Sequence, residues 1–420
     1  MSVRFDAEGW LGSLDPIGWR FGLERITALL SALGDPQHQF ESVHVVGTNG
    51  KSSVAAMTAA LIESRGRSAG CYLSPHSERW SQRVRVRGTE IEPDAFAAAA
   101  ERVAAAVPAV ERQFAEGERI TQFEAATATA FVALAQAGVE VGVIEAGLGG
   151  RLDATNVLRS RATVLTSIGL DHTAWLGETE LEIAGEKLAV LREGSTLVLG
   201  SVSDTVAELA RRVAGERGCN LIEAETEHGD TGLAAPYLRR NLSAAVAAAE
   251  VVAGPVSSTD LDRAFASLEL AGRFEVVAGD PPVVLDAAHN PDGARALTEA
   301  LAERLEDQPV VACLAILADK DATGIVAALA PALAAAVCTE IPAARLEGAG
   351  RPGATSTPAA ELVRLCEAVS VPATAHADPA DAVALAIAMA RKRGGVALIA
   401  GSHYLLQYGW TARPAQSSFR

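Results

Sequence analysis

Short runs of aliphatic and β-branched residues alternate along the chain with longer stretches in which apolar residues recur every three or four positions. The runs at 43–46, 69–73, 139–144, 162–168 and 197–200 predict strands buried on both faces. Between them, 21–30, 54–64, 181–192 and 239–252 carry helical spacing, as does the stripe Phe123, Thr127, Phe131 and Leu134. Glu124 lies beside that stripe, where a surface carboxylate is the simplest expectation. A turn-rich break follows at Gly254-Pro255, and near Gly272-Arg273-Phe274-Glu275 the organisation changes. A second alternation then runs through 283–286, 310–317, 336–341, 373–377 and 396–400. The pattern predicts an α/β protein of two doubly wound units: a larger domain over 1–272 with a mostly parallel sheet, a linker over 273–280, and a smaller Rossmann-like domain over 281–420.

Composition narrows the class. Hydrophobic content of 49% with 21% charged residues is that of a globular protein. A net charge of −16 argues against nucleic acid and anionic membrane as general partners. The five cysteines lie far apart without C-x-x-C spacing, which predicts reduced, mostly buried thiols and a cytoplasmic setting. Residues 1–6 show no apolar signal core, and no apolar run is long enough to span a bilayer.

Candidate chemistry sits where strands end. The strand at 43–46 runs into Gly47-Thr48-Asn49-Gly50-Lys51-Ser52-Ser53, with a helix expected immediately after. Glycines at a strand-to-helix turn let backbone amides and the helix N-terminus surround phosphate; Lys51 would reach the terminal phosphates, and Ser52 would offer a hydroxyl to a magnesium ion. Val45 stands where the strict motif has its first glycine, so the loop is a shortened variant. Glu145 ends the strand at 139–144, and a carboxylate there is costly unless paired or bound to metal. Ser74 and His172 are expected at the carboxyl ends of two further strands. In a parallel sheet those ends share one edge, where hard oxygen donors with one imidazole suit magnesium or manganese better than zinc. Lys187 projects from an apolar helix stripe, with Ile183, Ala184, Val190 and Leu191 at helical spacing, so its amine is expected to be buried and depressed in pKa.

Five segments together, Val46-Gly47-Thr48-Asn49-Gly50-Lys51, Leu73-Ser74-Pro75-His76, 147–156, 167–172 and Asp286-Ala287-Ala288-His289-Asn290-Pro291, resemble the folylpolyglutamate synthase and dihydrofolate synthase family, the folate branch of the Mur ligase superfamily. The resemblance runs from about Phe21 to about Gly401 in the family's order. It implies a P-loop ATPase domain and a Rossmann-like ligase domain. The implied reaction is ATP-dependent addition of L-glutamate to a reduced folate or to dihydropteroate through an acyl phosphate, in a cytoplasmic monomer. By resemblance Ser74, Glu145 and His172 are ligands to Mg2+, two ions being expected, and Lys187 is carried as a carbamate; Lys51, Lys187 and His172 form the catalytic set. Gly47, Thr48, Asn49, Gly50, Lys51, Ser52, Ser53, Asn241, Arg273, Asp286 and His289 match ATP-binding positions. Thr121, Gln122, Phe123, Glu124, Leu152, Asp153 and Ala154 match the pterin-side pocket. Ser52, Ser77, Gln82 and Leu188 depart from the family's usual residues. The rival readings are another Mur-type amide ligase, for which the roughly 46 residues before the loop leave no room for a nucleotide-sugar domain, and an NTP-hydrolysing switch, which would not need the second domain.

Overall fold

The computed structural model describes residues 5–15, 22–76, 78–224, 232–266, 268–305, 308–349, 351 and 353–411. Phe21 and Ser77 lie outside them. Two compact units emerge, one of Met1–Gly229 with Arg240–Leu268, the other of Asp230–Arg239 with Glu269–Arg420.

The first unit is built on eight strands: β1 Glu41–Val46, β2 Ala69–Tyr72, β3 Val84–Val86, β4 Thr89–Glu90, β5 Val141–Glu145, β6 Ala162–Leu165, β7 Thr196–Leu199 and β8 Asn220–Glu223. Their order is β4-β3-β2-β5-β1-β6-β7-β8. All neighbours from β2 to β8 pair in parallel, while β3 and β4 add an antiparallel edge. β1, β2, β5, β6 and β7 are buried almost throughout, because helices cover both faces. One face carries the helices Ala7–Ser13, Glu24–Ala32, Pro93–Glu111 and Gln122–Gln136 around Phe131, Leu134, Tyr72 and Ile144. A second core gathers Val46, Leu165, Leu188 and Leu191 with Val206 and Ala210.

Register places the chemistry. Val45 pairs with Glu145, Val46 with Leu165, and Tyr72 with Ile144, so β1, β2, β5 and β6 finish level with one another. The strand expected over 162–168 ends at Leu165; residues 166–171 form an irregular segment, and His172 begins the short helix Thr173–Leu176. The helix expected over 181–192 is Glu180–Leu188, so Val190 and Leu191 are buried without being helical neighbours of Lys187.

The second unit holds β9 Glu275–Val277, β10 Val283–Leu285, β11 Val310–Leu314, β12 Leu333–Cys338, β13 Ala373–Ala375 and β14 Val396–Ala400, in the order β13-β12-β11-β14-β10-β9. Only β9 is antiparallel. Its core is aliphatic, with Leu285, Val311, Val337 and Ile399 fully buried. The five cysteines are free thiols. Among the described residues no single helix is long and apolar enough to cross a membrane.

Candidate active site

β1 delivers the chain into Gly47–Gly50 and the helix Lys51–Ser64 starts at once. Gly50 is the N-cap at φ 85°, a left-handed conformation that favours glycine, and a Cβ there would lie 2.6 Å from Asn241 Oδ1. No side chain caps this helix. The first amide that closes a helical bond is Val54, donating to Gly50 O at 2.9 Å, so the amides of Lys51, Ser52 and Ser53 in the first turn are available to an anion. Lys51 Nζ donates to the carbonyls of Gly47 and Thr48, both at 3.1 Å, so the ammonium is held over the loop. The segment after β6 fixes the loop from outside: Thr48 N donates to Ser167 O at 2.7 Å, Asn49 N to Ser167 Oγ at 3.1 Å, and Thr166 Oγ1 to Asn49 O at 2.6 Å.

Glu145, 2% exposed, stands beside this loop. Its carboxylate accepts from Ser52 Oγ at 3.1 Å and from Ser74 N at 3.0 Å, so one side chain joins the ends of β2 and β5 to the first turn of the loop helix. Ser53 Oγ is buried without a hydrogen-bond partner among the described residues. His172 takes a left-handed conformation at φ 53°, with Nε2 3.8 Å from Asp171 Oδ1. The oxygens gathered here fit a hard divalent cation. Among the described residues no three His, Cys, Asp or Glu side chains form a metal cluster. One carboxylate with a hydroxyl, completed by water and phosphate oxygens, is the usual magnesium pattern.

Lys187 is 4% exposed, so its ammonium does not escape to solvent. Burial first, then the Lys51 cation, lowers its pKa to about 7; Asp171 and Asp153 oppose the shift. The charges it senses therefore include Lys51 at the start of the loop helix and Asp171, the neighbour of His172. Close packing secures it: a Cβ on Gly150 would lie 2.7 Å from Glu186 O and 2.9 Å from Lys187 O, and Arg151 pairs with Glu186 at 2.9 Å.

The residues matched to a pterin pocket divide into two groups. The Phe123 ring lies directly against Gly147, and Leu152, 42% exposed, comes from the same glycine-rich loop. Ala154 is buried nearby, opening the short turn Ala154–Val157. Thr121, Gln122, Glu124 and Asp153 are instead engaged internally. Thr121 Oγ1 accepts from Glu124 N at 3.2 Å while the Glu124 carboxylate accepts from Thr121 N at 2.9 Å, a capping box on the helix Gln122–Gln136. Gln122 Nε2 donates to Leu11 O at 3.0 Å. The surface carboxylate expected at Glu124 is in fact 5% exposed and paired with buried Arg25 at 3.3 Å, because the helix start is covered by Glu24–Ala32. Glu124→Ala would leave Arg25 buried and uncompensated, a loss of about 3–5 kcal/mol that urea denaturation would register as a lowered midpoint.

Asp153 accepts from Leu148 N at 2.8 Å, Thr155 N at 3.0 Å and Thr155 Oγ1 at 2.5 Å. Burial pushes its carboxyl upward and these bonds pull it back. Thr155 in turn meets His44 Nε2 at 2.8 Å; burial, assisted by the Arg192 charge, holds His44 down at about 3, so it is neutral. The glycine-rich loop is thus tied to β1 through a buried His44–Thr155–Asp153 chain that sequence reading did not find.

In the second unit Asp286 follows β10 and accepts from Tyr237 Oη at 2.5 Å, Phe274 N at 2.9 Å and Ala288 N at 2.8 Å. Burial raises its pKa first, against those bonds and the Arg273 charge. Its carboxylate orders the turn that carries Arg273, whose guanidinium donates to Gly272 O at 3.0 Å, while His289 Nδ1 lies 2.8 Å from Ala287 O. Tyr237 carried no motif to announce it.

Known proteins bear on this geometry. Residues 272–403 match the family model of the Mur ligase glutamate ligase domain. The dihydrofolate synthase/folylpolyglutamate synthase of Mycobacterium tuberculosis is 34% identical over 364 residues, 76% of this chain and 74% of that protein. The crystal structure of M. tuberculosis folylpolyglutamate synthase complexed with ADP and AMPPCP superposes with a TM-score of 0.85 at 29% identity, covering 95% of this chain and 97% of the other. That of the Yersinia pestis bifunctional enzyme complexed with AMPPNP and Mn ion gives 0.81 at 29%, covering 96% of each. A glycine-rich strand-to-helix loop at the level edge of one sheet, a match to the glutamate ligase domain after it and this identity over most of both chains have one meaning: the chain belongs to the dihydrofolate synthase/folylpolyglutamate synthase family of ATP-dependent glutamate ligases.

Proposed function

We propose that the chain joins L-glutamate to both dihydropteroate and reduced folates, with ATP and a divalent cation held at the Gly47–Ser53 loop. The uncapped helix N-terminus beneath Lys51, beside a buried Glu145 that accepts from Ser52, carries the reading. The amides and Lys51 bind the phosphates, Nζ exchanging the Gly47 and Thr48 carbonyls for phosphate oxygens. Ser52, Ser74, Glu145 and His172 are the residues proposed to hold the cation, which neutralises phosphate charge when bound. Asn241, Arg273, Asp286 and His289 are proposed on the nucleotide, with Tyr237 and Asp286 keeping the Arg273 turn in place.

The acceptor's carboxylate oxygen attacks the γ-phosphorus in line; the bond to the β-phosphate oxygen breaks and ADP leaves. The glutamate amine then attacks the acyl carbon, the C–N bond forms, phosphate departs and the amine gives up its proton. Positioning and electrostatics supply the acceleration. Phe123 and Leu152 present apolar surface suited to a pterin or aminobenzoyl ring. The relatives named above support the pairing of substrates, since the mycobacterial and Yersinia proteins carry both activities in their names.

The test is phosphate release by the purified full chain with dihydropteroate or tetrahydrofolate, each with and without L-glutamate. Glutamate-dependent release with both acceptors is expected. Release with tetrahydrofolate alone removes the dihydropteroate activity and leaves the ligase; ATP hydrolysis indifferent to both acceptor and glutamate overturns the whole reading.

A further inference from the structure

A second cleft, of ≈ 210 Å³, lies in the first unit toward the far end of the helix Lys51–Ser64, away from the phosphate loop. Ala56, Ala59 and Ala60 form one wall, Gly70 and Cys71 of β2 the floor, and Leu268 part of the rim. Two charged side chains reach it from opposite elements: Glu63 from the last turn of the helix and Arg85 from β3, where it pairs with Cys71 in the antiparallel edge. Arg263 also lines it, but its guanidinium already donates to Ser64 O at 2.6 Å.

Both keep bonding capacity unused. Glu63 Oε1 is buried and has no hydrogen-bond partner among the described residues. Burial pushes the Glu63 carboxyl up to about 7, against the Ala69 amide and the Arg87 charge, so the cations nearby do not compensate it. The Arg85 side chain, half-buried, makes no hydrogen bond or ion pair among the described residues. An acid and an arginine thus share one cleft without touching. In a closed structural cluster they would pair, since leaving a buried polar atom unmatched is costly.

We propose that this cleft is a binding site for a small zwitterion, a free α-amino acid with a short apolar side chain, whose ammonium donates to Glu63 and whose carboxylate is taken by Arg85. At ≈ 210 Å³ the cleft lies below the range of pockets that hold drug-sized ligands and suits a molecule of amino-acid size. The ammonium and carboxylate of an α-amino acid sit on one carbon, so a single ligand can meet both groups. Ala56, Ala59 and Ala60 offer apolar surface in the same cleft for the ligand's side chain.

L-Alanine is the probe, because L-glutamate would also occupy the ligase site. Calorimetric titration of the full chain is expected to show L-alanine binding, with propionate and ethylamine, each carrying one charge, at least tenfold weaker. Glu63→Gln and Arg85→Met are each expected to weaken L-alanine at least tenfold, and Ala60→Leu, which fills the cleft from its apolar wall, to abolish binding. All three are expected to retain the wild-type melting temperature within a few degrees and the wild-type kcat for ligation. Absence of L-alanine binding to the folded wild-type chain overturns the proposal. So does binding that survives both charge substitutions, or propionate binding as tightly as L-alanine.

Discussion

Glu145→Gln is expected to lower kcat by roughly 10²-fold or more while the protein melts at or above the wild-type temperature. The carboxylate is 2% exposed and accepts from Ser52 Oγ and Ser74 N, so glutamine fits the same space and keeps one acceptor. What it loses is the negative charge, the property that binds a hard cation. It also turns an amide N–H₂ toward one of two donors, which weakens the link between the loop helix and the end of β2. Stability moves the other way, because a buried charge without its cation is a burden on folding. Steady-state turnover across magnesium concentration, alongside a thermal melt, separates the two effects. Near-normal turnover at ordinary magnesium would refute the role proposed for Glu145.

Features set by local order were legible in the sequence. Valine-rich runs with glycines at their ends fix where β1 stops and the loop helix starts, and a carboxylate at the last position of a buried strand is visible as soon as the strand is. The hairpin of β3 and β4 escaped notice because it is short and carries Arg85 and Arg87 among its apolar positions. The alanine-rich helix Pro93–Glu111 was also passed over, although Phe96, Ala100, Val103, Val107 and Val110 recur along it at helical spacing and are buried. Long-range polar pairing was wholly invisible. Arg25 and Glu124 are 99 positions apart, and His44 and Thr155 are 111 apart. Each partner alone looks like an ordinary surface or core residue, and only the fold reveals that the two satisfy each other. For the same reason Asp153, matched to a pterin pocket by motif, turns out to have both carboxylate oxygens hydrogen-bonded within the protein, while Glu124 accepts from Thr121 N and Arg25 through Oε2 and keeps Oε1 buried without a hydrogen bond among the described residues.

Lys187→Arg is expected to be nearly inactive although it preserves charge, and Lys187→Ala to regain part of its turnover when formate or acetate is added. The lysine was expected to be buried from helical spacing; the structure places it at 4% exposure, with a pKa of about 7. The folded-state pKa lies below the unfolded one, near 10.4, so the unfolded chain binds the extra proton between about pH 7 and pH 10. Protonated Lys187 therefore opposes folding most fully below pH 7, and the opposition fades as pH rises. Near neutrality a substantial share of Lys187 is the free amine. Its nitrogen can attack carbon dioxide: the N–C bond forms, a C=O electron pair moves to oxygen, and the nitrogen's proton passes to water. The resulting anion is favoured by the Lys51 cation that disfavours the ammonium. Guanidinium keeps its proton at any working pH and forms no such adduct, whereas a small carboxylate can enter the space left by alanine and supply two oxygens. Carbon-13-labelled bicarbonate gives a direct readout, a carbamate resonance in the wild-type chain that is absent from both variants. Full turnover by the arginine variant, with no carbamate resonance in the wild type, would remove Lys187 from the catalytic set.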